Sequence, residues 1–211
     1  MSWFMSAIYD RFMKASEEAC LDAWRKELLS GLRGTVLEIG AGTGANLRHY
    51  PSSVTRLALT EPDRHMFAKL ARRTALDRAG RVELYPAPVD ALPFDDVSFD
   101  AVVCTLVLCS VENQERALAE IHRVLKPGAS FVFLEHVAAH DRSRLAWQRR
   151  VEPFWKRISG NCHLTRDTSE AIRASGLVMD DEKRESMRKA LPIVRPTIRG
   201  IARKPRTRIE A

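Results

Sequence analysis

Three glycines alternate in Glu38-Ile39-Gly40-Ala41-Gly42-Thr43-Gly44, directly after the apolar pair Val36-Leu37. That spacing lets the chain turn tightly and leaves backbone N–H groups unshielded by any Cβ, so a small polar ligand can approach. By itself the run Gly40 to Ala45 also satisfies the looser glycine pattern that binds dinucleotides. The acid before the first glycine separates the two readings. A carboxylate at Glu38 would repel a pyrophosphate, but it can organise the loop and face the cationic amino group of a methionine moiety.

Two more acids stand where a nucleoside would need them. Glu61 closes the apolar run Arg56 to Thr60, ahead of Pro62, where a carboxylate accepts hydrogen bonds from both ribose hydroxyls. Asp90 opens Asp90-Ala91-Leu92-Pro93-Phe94 and can take the adenine amino group, while a neighbouring amide such as that of Ala91 serves a ring nitrogen. Taken singly, Glu61 also suits a surface acid before a proline, and Asp90 a turn. In order with Glu38 they favour S-adenosylmethionine over NAD, and the sequence has no Tyr-x-x-x-Lys pair for hydride transfer.

Methyl transfer from a sulfonium leaves a neutral sulfide, so aligning the acceptor and excluding water are the chief demands and a dedicated base is optional. If the acceptor is a thiol, with a reference pKa near ~8.5, a histidine or a positive field raises its thiolate fraction. His136 is the first candidate, because it ends a strand-like run and strand carboxyl ends face the ligand crevice in an open α/β sheet. His163, beside Cys162 and Arg166, is the second. The alternatives are loop orientation for His136 and local hydrogen bonding for His163. Phe4, Phe12, Trp147 and Trp155 can line an apolar acceptor pocket, although each also fits a core position.

The elements that must position these groups alternate in period. Val36 to Ile39, Arg56 to Thr60, Val82 to Tyr85, Phe99 to Leu108 and Ser130 to Val137 read as strands. Between them Ala45 to Tyr50, Arg64 to Ala79 and Gln114 to Val124 read as helices, and Lys126-Pro127-Gly128 as punctuation. Leu145 to Lys156 and Thr168 to Ser175 continue as helices, and Leu177 to Arg184 and Thr197 to Arg203 as closing strands. The pattern predicts an α/β fold: a Rossmann-like, doubly wound, mostly parallel seven-stranded sheet with helices on both faces and an antiparallel closing strand. Residues 1–33 are expected to form a helical lid, residues 34–204 the main domain, and residues 205–211 a flexible tail.

A chain of 211 residues with 45% apolar content suits one globular domain. Its net charge of +7 could suit a nucleic acid, an acidic membrane surface or an anionic cofactor, but the arginines are scattered rather than striped. Nucleic acid is not expected as a partner; peripheral membrane contact stays open, and so does the oligomeric state. Cys20, Cys104, Cys109 and Cys162 have no CxxC spacing, so neither a metal site nor a disulfide framework is expected. No run approaches the roughly 20 apolar residues of a spanning helix, and no secretory signal opens the chain, so a cytoplasmic protein is expected.

Val36 to Gly44, Glu61, Asp90 to Phe94, Phe99-Asp100-Ala101-Val102-Val103 and Leu125-Lys126-Pro127-Gly128 fall in an order that resembles class I S-adenosylmethionine-dependent methyltransferases across residues 34–137. The stretches Cys104 to Val111, Phe133 to Val137, Trp155-Lys156 and Cys162 to Arg166 are similar to one branch, the methyltransferase-like seven group, whose human members methylate thiols. This resemblance reaches from Tyr9-Asp10 to Thr168. It departs at the front, where the human members carry a hydrophobic anchor, so a soluble bacterial-type relative is expected.

The resemblance implies a cofactor set of Tyr9, Glu38, Gly40, Ala41, Gly42, Gly44, Asn46, Glu61, Pro62, Asp90 and Ala91, with Tyr9 covering the methionine end. It also implies that Thr105 and Leu106 lie near the reactive methyl, with Cys109 beside them in the acceptor pocket as packing rather than as a nucleophile. The expected activity is methylation of a small apolar acceptor, most of all a thiol. Methylation at oxygen or nitrogen of a quinone, phospholipid or secondary metabolite is the alternative, and a non-catalytic sensor or scaffold on the same fold a third.

Overall fold

The computed structural model describes residue 11, residues 13–75 and residues 80–206. Its seven strands are β1 (Gly34–Ile39), β2 (Val54–Thr60), β3 (Val82–Tyr85), β4 (Phe99–Thr105), β5 (Leu125–His136), β6 (Val178–Ser186) and β7 (Pro196–Arg203). They form one sheet in the order β3-β2-β1-β4-β5-β7-β6. The first five run parallel, and β7 pairs antiparallel with both β5 and β6. Strand order reverses between β1 and β4, and in such sheets the crevice beyond the strand ends at that point receives the ligand.

The central strands are continuously apolar because both faces are covered. Side chains alternate, so Leu37, Val102, Phe131 and Phe133 enter one core while Val36, Val103, Val132 and Leu134 enter the other. The first core is covered by the helix Gln114–Val124 through Leu118 and Ile121. The second is covered from the N-terminal side by Cys20, Leu21, Leu28 and Leu29.

The helices are α1 (Asp22–Leu29), α2 (Arg64–Thr74), α3 (Gln114–Val124), α4 (Arg142–Ile158) and α5 (Thr168–Ala174). A π-helical turn, Glu17–Leu21, leads into α1. The other four begin at Asp63, Asn113, Asp141 and Asp167, whose side chains accept N–H groups of the first turn that would otherwise lack partners. Among the described residues no helix is long and apolar enough to cross a membrane.

Three local expectations are corrected. Ala45 to Tyr50 forms only a 3-10 turn at Leu47–His49, because Asn46 and Tyr50 turn their side chains back to Glu38. The run expected to extend to Leu108 leaves the sheet after Thr105, where Leu106 takes φ +61°. Lys126-Pro127-Gly128 does not separate helix from strand. β5 starts at Leu125 and absorbs the three as a bulge, since Leu125 pairs with Phe99 while Ser130 pairs with Ala101. Helix α2 ends at Thr74; residues 76–79 of the expected helix, and residues 207–211 of the expected tail, lie outside the described residues.

Candidate active site

The glycine turn leaves β1 with positive φ at Gly40 (58°), Gly42 (59°) and Gly44 (86°), where any Cβ is strained. A Cβ on Gly40 would stand 2.6 Å from Val107 Cγ2, and one on Gly44 2.6 Å from Leu47 Cδ1. Gly42 differs, since its nearest neighbour would be Met66 Sδ at 3.8 Å. The backbone at Gly42 is therefore the open part of the turn, on the wall of a cavity of about 2090 Å³. That is above the roughly 300–1,000 Å³ of a single small-molecule pocket, enough for two ligands side by side.

Glu38 lies under the turn, buried. Its Oε1 accepts from Asn46 Nδ2 at 2.9 Å and its Oε2 from the Tyr50 hydroxyl at 2.8 Å. Burial pushes its carboxyl up to about 7, against the opposing effect of those two bonds and of Arg25. Asn46 Oδ1 accepts from Arg25 Nη1 at 2.8 Å, and the same Nη1 reaches Thr105 Oγ1 at 2.9 Å. Arg25 is completed by Glu17, 3.0 Å from its Nη2. One polar chain thus joins the N-terminal helix, the glycine turn and the end of β4.

Glu61, mostly buried at the end of β2, accepts from Gly42 N and Asp63 N, each at 2.8 Å. Burial raises its carboxyl, and the two backbone bonds work against that. Both bonds hold the carboxylate to the cavity wall with lone pairs left over for hydroxyl donors. Pro62 and Asp90 share that wall, whereas Ala91 is exposed beside it.

The loop after β4 is gripped from two sides. The Glu135 carboxylate, fully buried on β5, accepts from the N–H groups of Val107 (3.0 Å), Leu108 (3.0 Å) and Cys109 (3.1 Å), and from Cys104 Sγ at 3.2 Å. Arg166 takes the carbonyls: Nη1 donates to Leu108 at 2.6 Å and Nη2 to Val111 at 2.7 Å. With its donors and acceptors satisfied, the loop holds Thr105, Leu106 and Cys109 on the cavity wall.

His136 follows Glu135, and its ring lines the cavity. Nδ1 is buried with no hydrogen-bond partner among the described residues. Burial drives its pKa down to about 4, against the opposing effect of the Val194 backbone, so the ring is neutral at physiological pH. His163 is elsewhere: its Nδ1 is 3.6 Å from Glu152 and it is not part of the cavity wall. Glu152 also binds Leu164 N and Thr165 N, so His163 sits in a loop-stabilising cluster.

Cys109, Cys162 and Trp155 lie on the wall, the two cysteines sharing a buried cluster with Leu164, Ile193 and Val194. A hydrogen bond between the sulfurs raises the Cys109 thiol and lowers that of Cys162. Trp147 does not join them. Gln148 is buried and donates to Ile193 O (2.9 Å) while accepting from Ala139 N (2.8 Å), which turns Trp147 outward, 46% exposed. Phe4, Tyr9 and Phe12 lie outside the described residues. Asn46 is behind the wall, holding Glu38. Arg25, Tyr50, Glu135 and Arg166 are site residues that sequence reasoning misses; only Glu135 carries a signal, a carboxylate directly after the apolar run Phe131 to Leu134.

The fold and this site define a class I S-adenosylmethionine-dependent methyltransferase, an enzyme that uses S-adenosylmethionine as methyl donor. Residues 37–133 match the model of the family described as "Methyltransferase domain". The chain is 36% identical to thiol S-methyltransferase TMT1A of Homo sapiens over 84% of this chain and 77% of that protein. It is 38% identical to thiol S-methyltransferase TMT1B of Rattus norvegicus over 72% of this chain and 66% of that one. It belongs to the family of these two proteins. The chain is also 32% identical to the ubiquinone/menaquinone biosynthesis C-methyltransferase UbiE of Methylobacterium nodulans, over 72% of this chain and 66% of that protein. Among solved structures, geranyl diphosphate C-methyltransferase of Streptomyces coelicolor, in complex with S-adenosyl-L-homocysteine, superposes with TM-score 0.68 at 14% identity, covering 89% of this chain and 80% of that one.

Proposed function

We propose that the enzyme methylates the sulfur of a small apolar thiol. The likeness to the thiol S-methyltransferases over 84% of the chain carries this reading. The acceptor side of the cavity supports it with an apolar, sulfur-bearing wall of Cys109, Cys162, Trp155, Ile158 and Val194 and one neutral imidazole, His136.

The open backbone at Gly42 and the Glu38 carboxyl on the cavity wall fit a donor that carries both an amino and a carboxylate group, the nearby ammonium favouring the ionised form of Glu38 against its burial. In this reading Gly40, Ala41, Gly42, Gly44 and Glu38 hold the methionine end, Glu61 beside Pro62 holds the ribose, and Asp90 with Ala91 holds the adenine. Residues 13–33 act as a lid that Arg25 ties to Asn46 and Thr105. Bound there, S-adenosylmethionine supplies a methyl group on a sulfonium, which passes to the acceptor sulfur as the thiol proton is released and a neutral sulfide is left. Glu135 and Arg166 keep Thr105 and Leu106 in place beside the acceptor. His136, neutral above about pH 4, accepts a hydrogen bond from the S–H and so aims the sulfur. Its low basicity makes it an orienting group, with solvent as the final proton acceptor.

A second reading, methylation at carbon of a quinol ring, draws on the 32% likeness to the quinone C-methyltransferase. A panel of alkyl thiols, quinols, phenols and amines, each with labelled S-adenosylmethionine and product mass analysis, separates the two. Methyl thioether formation is expected, and transfer to every class except thiols rejects the proposal.

A further inference from the structure

Helix α4 presents an apolar face that nothing among the described residues covers. Trp147 (46% exposed), Phe154 (65%) and Ile158 (45%) are seven and eleven residues apart, counted from Trp147, which at the α-helical period puts them within an arc of about 40°. Gln148 and Glu152 mark the opposite, inward side, bonded to Ile193 O and Thr165 N. The helix carries six basic residues against Glu152 alone. Arg150 and Arg157 lie along one side of the apolar stripe, about 60° and 80° round the helix from Trp147, and neither forms an ion pair among the described residues.

Beside α4 runs the connection between β6 and β7, which packs against the Gln148 side of the helix. Leu191 is 45% exposed there, next to the exposed Arg188 and Lys189, and α4 packs against the short Pro192–Val194 turn that follows. Ile158 and Leu191 also line the cavity, so this face forms part of its rim. Three large apolar side chains held in water beside unpaired arginines match one kind of partner surface, an apolar interior with an anionic boundary.

We propose that α4 and the β6–β7 connection dock the enzyme on a bilayer containing anionic phospholipid, with Trp147, Phe154 and Ile158 in the headgroup boundary, the arginines on lipid phosphates, and the cavity rim turned toward the membrane. An apolar acceptor dissolved in lipid would then enter without crossing water. The docking is independent of which atom of the acceptor is methylated.

The test is co-sedimentation of the full chain with vesicles of phosphatidylcholine alone or with about 30% phosphatidylglycerol, at low and high salt. Wild type is expected to pellet with the anionic vesicles and to be released by salt. Phe154→Ser and the double variant Arg150→Glu/Arg157→Glu are each expected to bind at least tenfold more weakly. Phe154→Ser should still bind S-adenosylhomocysteine with unchanged affinity, which establishes that it is folded. Equal pelleting of wild type and Phe154→Ser, or none by wild type, overturns the proposal. So does a wild-type dimer in solution that Phe154→Ser dissociates, because the face would then belong to a second copy.

Discussion

Arg25 Nη1 donates to Asn46 Oδ1 across 2.8 Å, and Asn46 passes the contact on to Glu38 through its own Nδ2 at 2.9 Å. The N-terminal helix therefore sets the position of the acid beneath the glycine turn. Arg25→Ala leaves the buried Asn46 Oδ1 without its donor and Thr105 Oγ1 with Asn46 Nδ2 alone, at a cost of about 2 kcal/mol, readable as a lower denaturation midpoint. Calorimetry should show binding of S-adenosylhomocysteine weakened by about tenfold. Arg25→Lys, which cannot fork between the two oxygens and Glu17, should fall in between.

Glu38 makes stability fall with rising pH. Its folded pKa of about 7 is above the usual 4.5, so the folded chain holds the proton more tightly. That contribution is complete below pH 4.5 and is lost as pH rises through 7, amounting to about 3 kcal/mol. Glu38→Gln cannot ionise, so its stability relative to wild type should climb between pH 5 and 8 in thermal melts, while its affinity for S-adenosylmethionine drops. Parallel pH profiles for the two proteins would show that Glu38 does not hold its proton.

His136 works in the other direction. Its folded pKa of about 4 is below the usual 6.5, so the unfolded chain takes up a proton first and stability declines as pH falls from 6.5 toward 4. For catalysis the expectation is a rate that shows no inflection near pH 6.5. His136→Asn should lower kcat/KM for a thiol by about ten- to a hundredfold with little change in S-adenosylmethionine binding. A wild-type inflection near 6.5 that disappears in the variant would identify a base that titrates normally.

Glu135 carries three consecutive backbone N–H groups, so Glu135→Gln places an amide where only an acceptor fits. The loop holding Thr105 and Leu106 should loosen. A fall in kcat of about tenfold or more is expected, with a smaller change in the donor's KM, and single-turnover kinetics would check it. Unchanged kcat would make Glu135 a purely structural anchor.

The parts of the site legible in sequence are those in which one short segment does the work. The glycine turn, Glu61 and His136 sit at strand ends, and strand ends follow from the apolar runs that precede them. Arg25, Asn46, Tyr50 and Glu38 meet only after the chain has folded, and no spacing links Arg25 to Asn46. That same convergence explains why Ala45 to Tyr50 is not an α-helix. Trp147 illustrates a different limit: helical spacing gives a face, but the three hydrogen bonds of buried Gln148 decide which face turns inward. His163 has polar neighbours in sequence, Cys162 and Arg166, and in the fold its Nδ1 stands 3.6 Å from Glu152 within the same loop cluster.

Sulfur as the methylated atom is the central claim, and a direct competition tests it. Wild-type enzyme is given deuteromethyl-labelled S-adenosylmethionine with equal concentrations of an alkyl thiol and a quinol, and the products are read by mass spectrometry. The account predicts a deuteromethyl thioether as the main product. A quinol labelled on ring carbon, with the thiol returned unmodified, would contradict it.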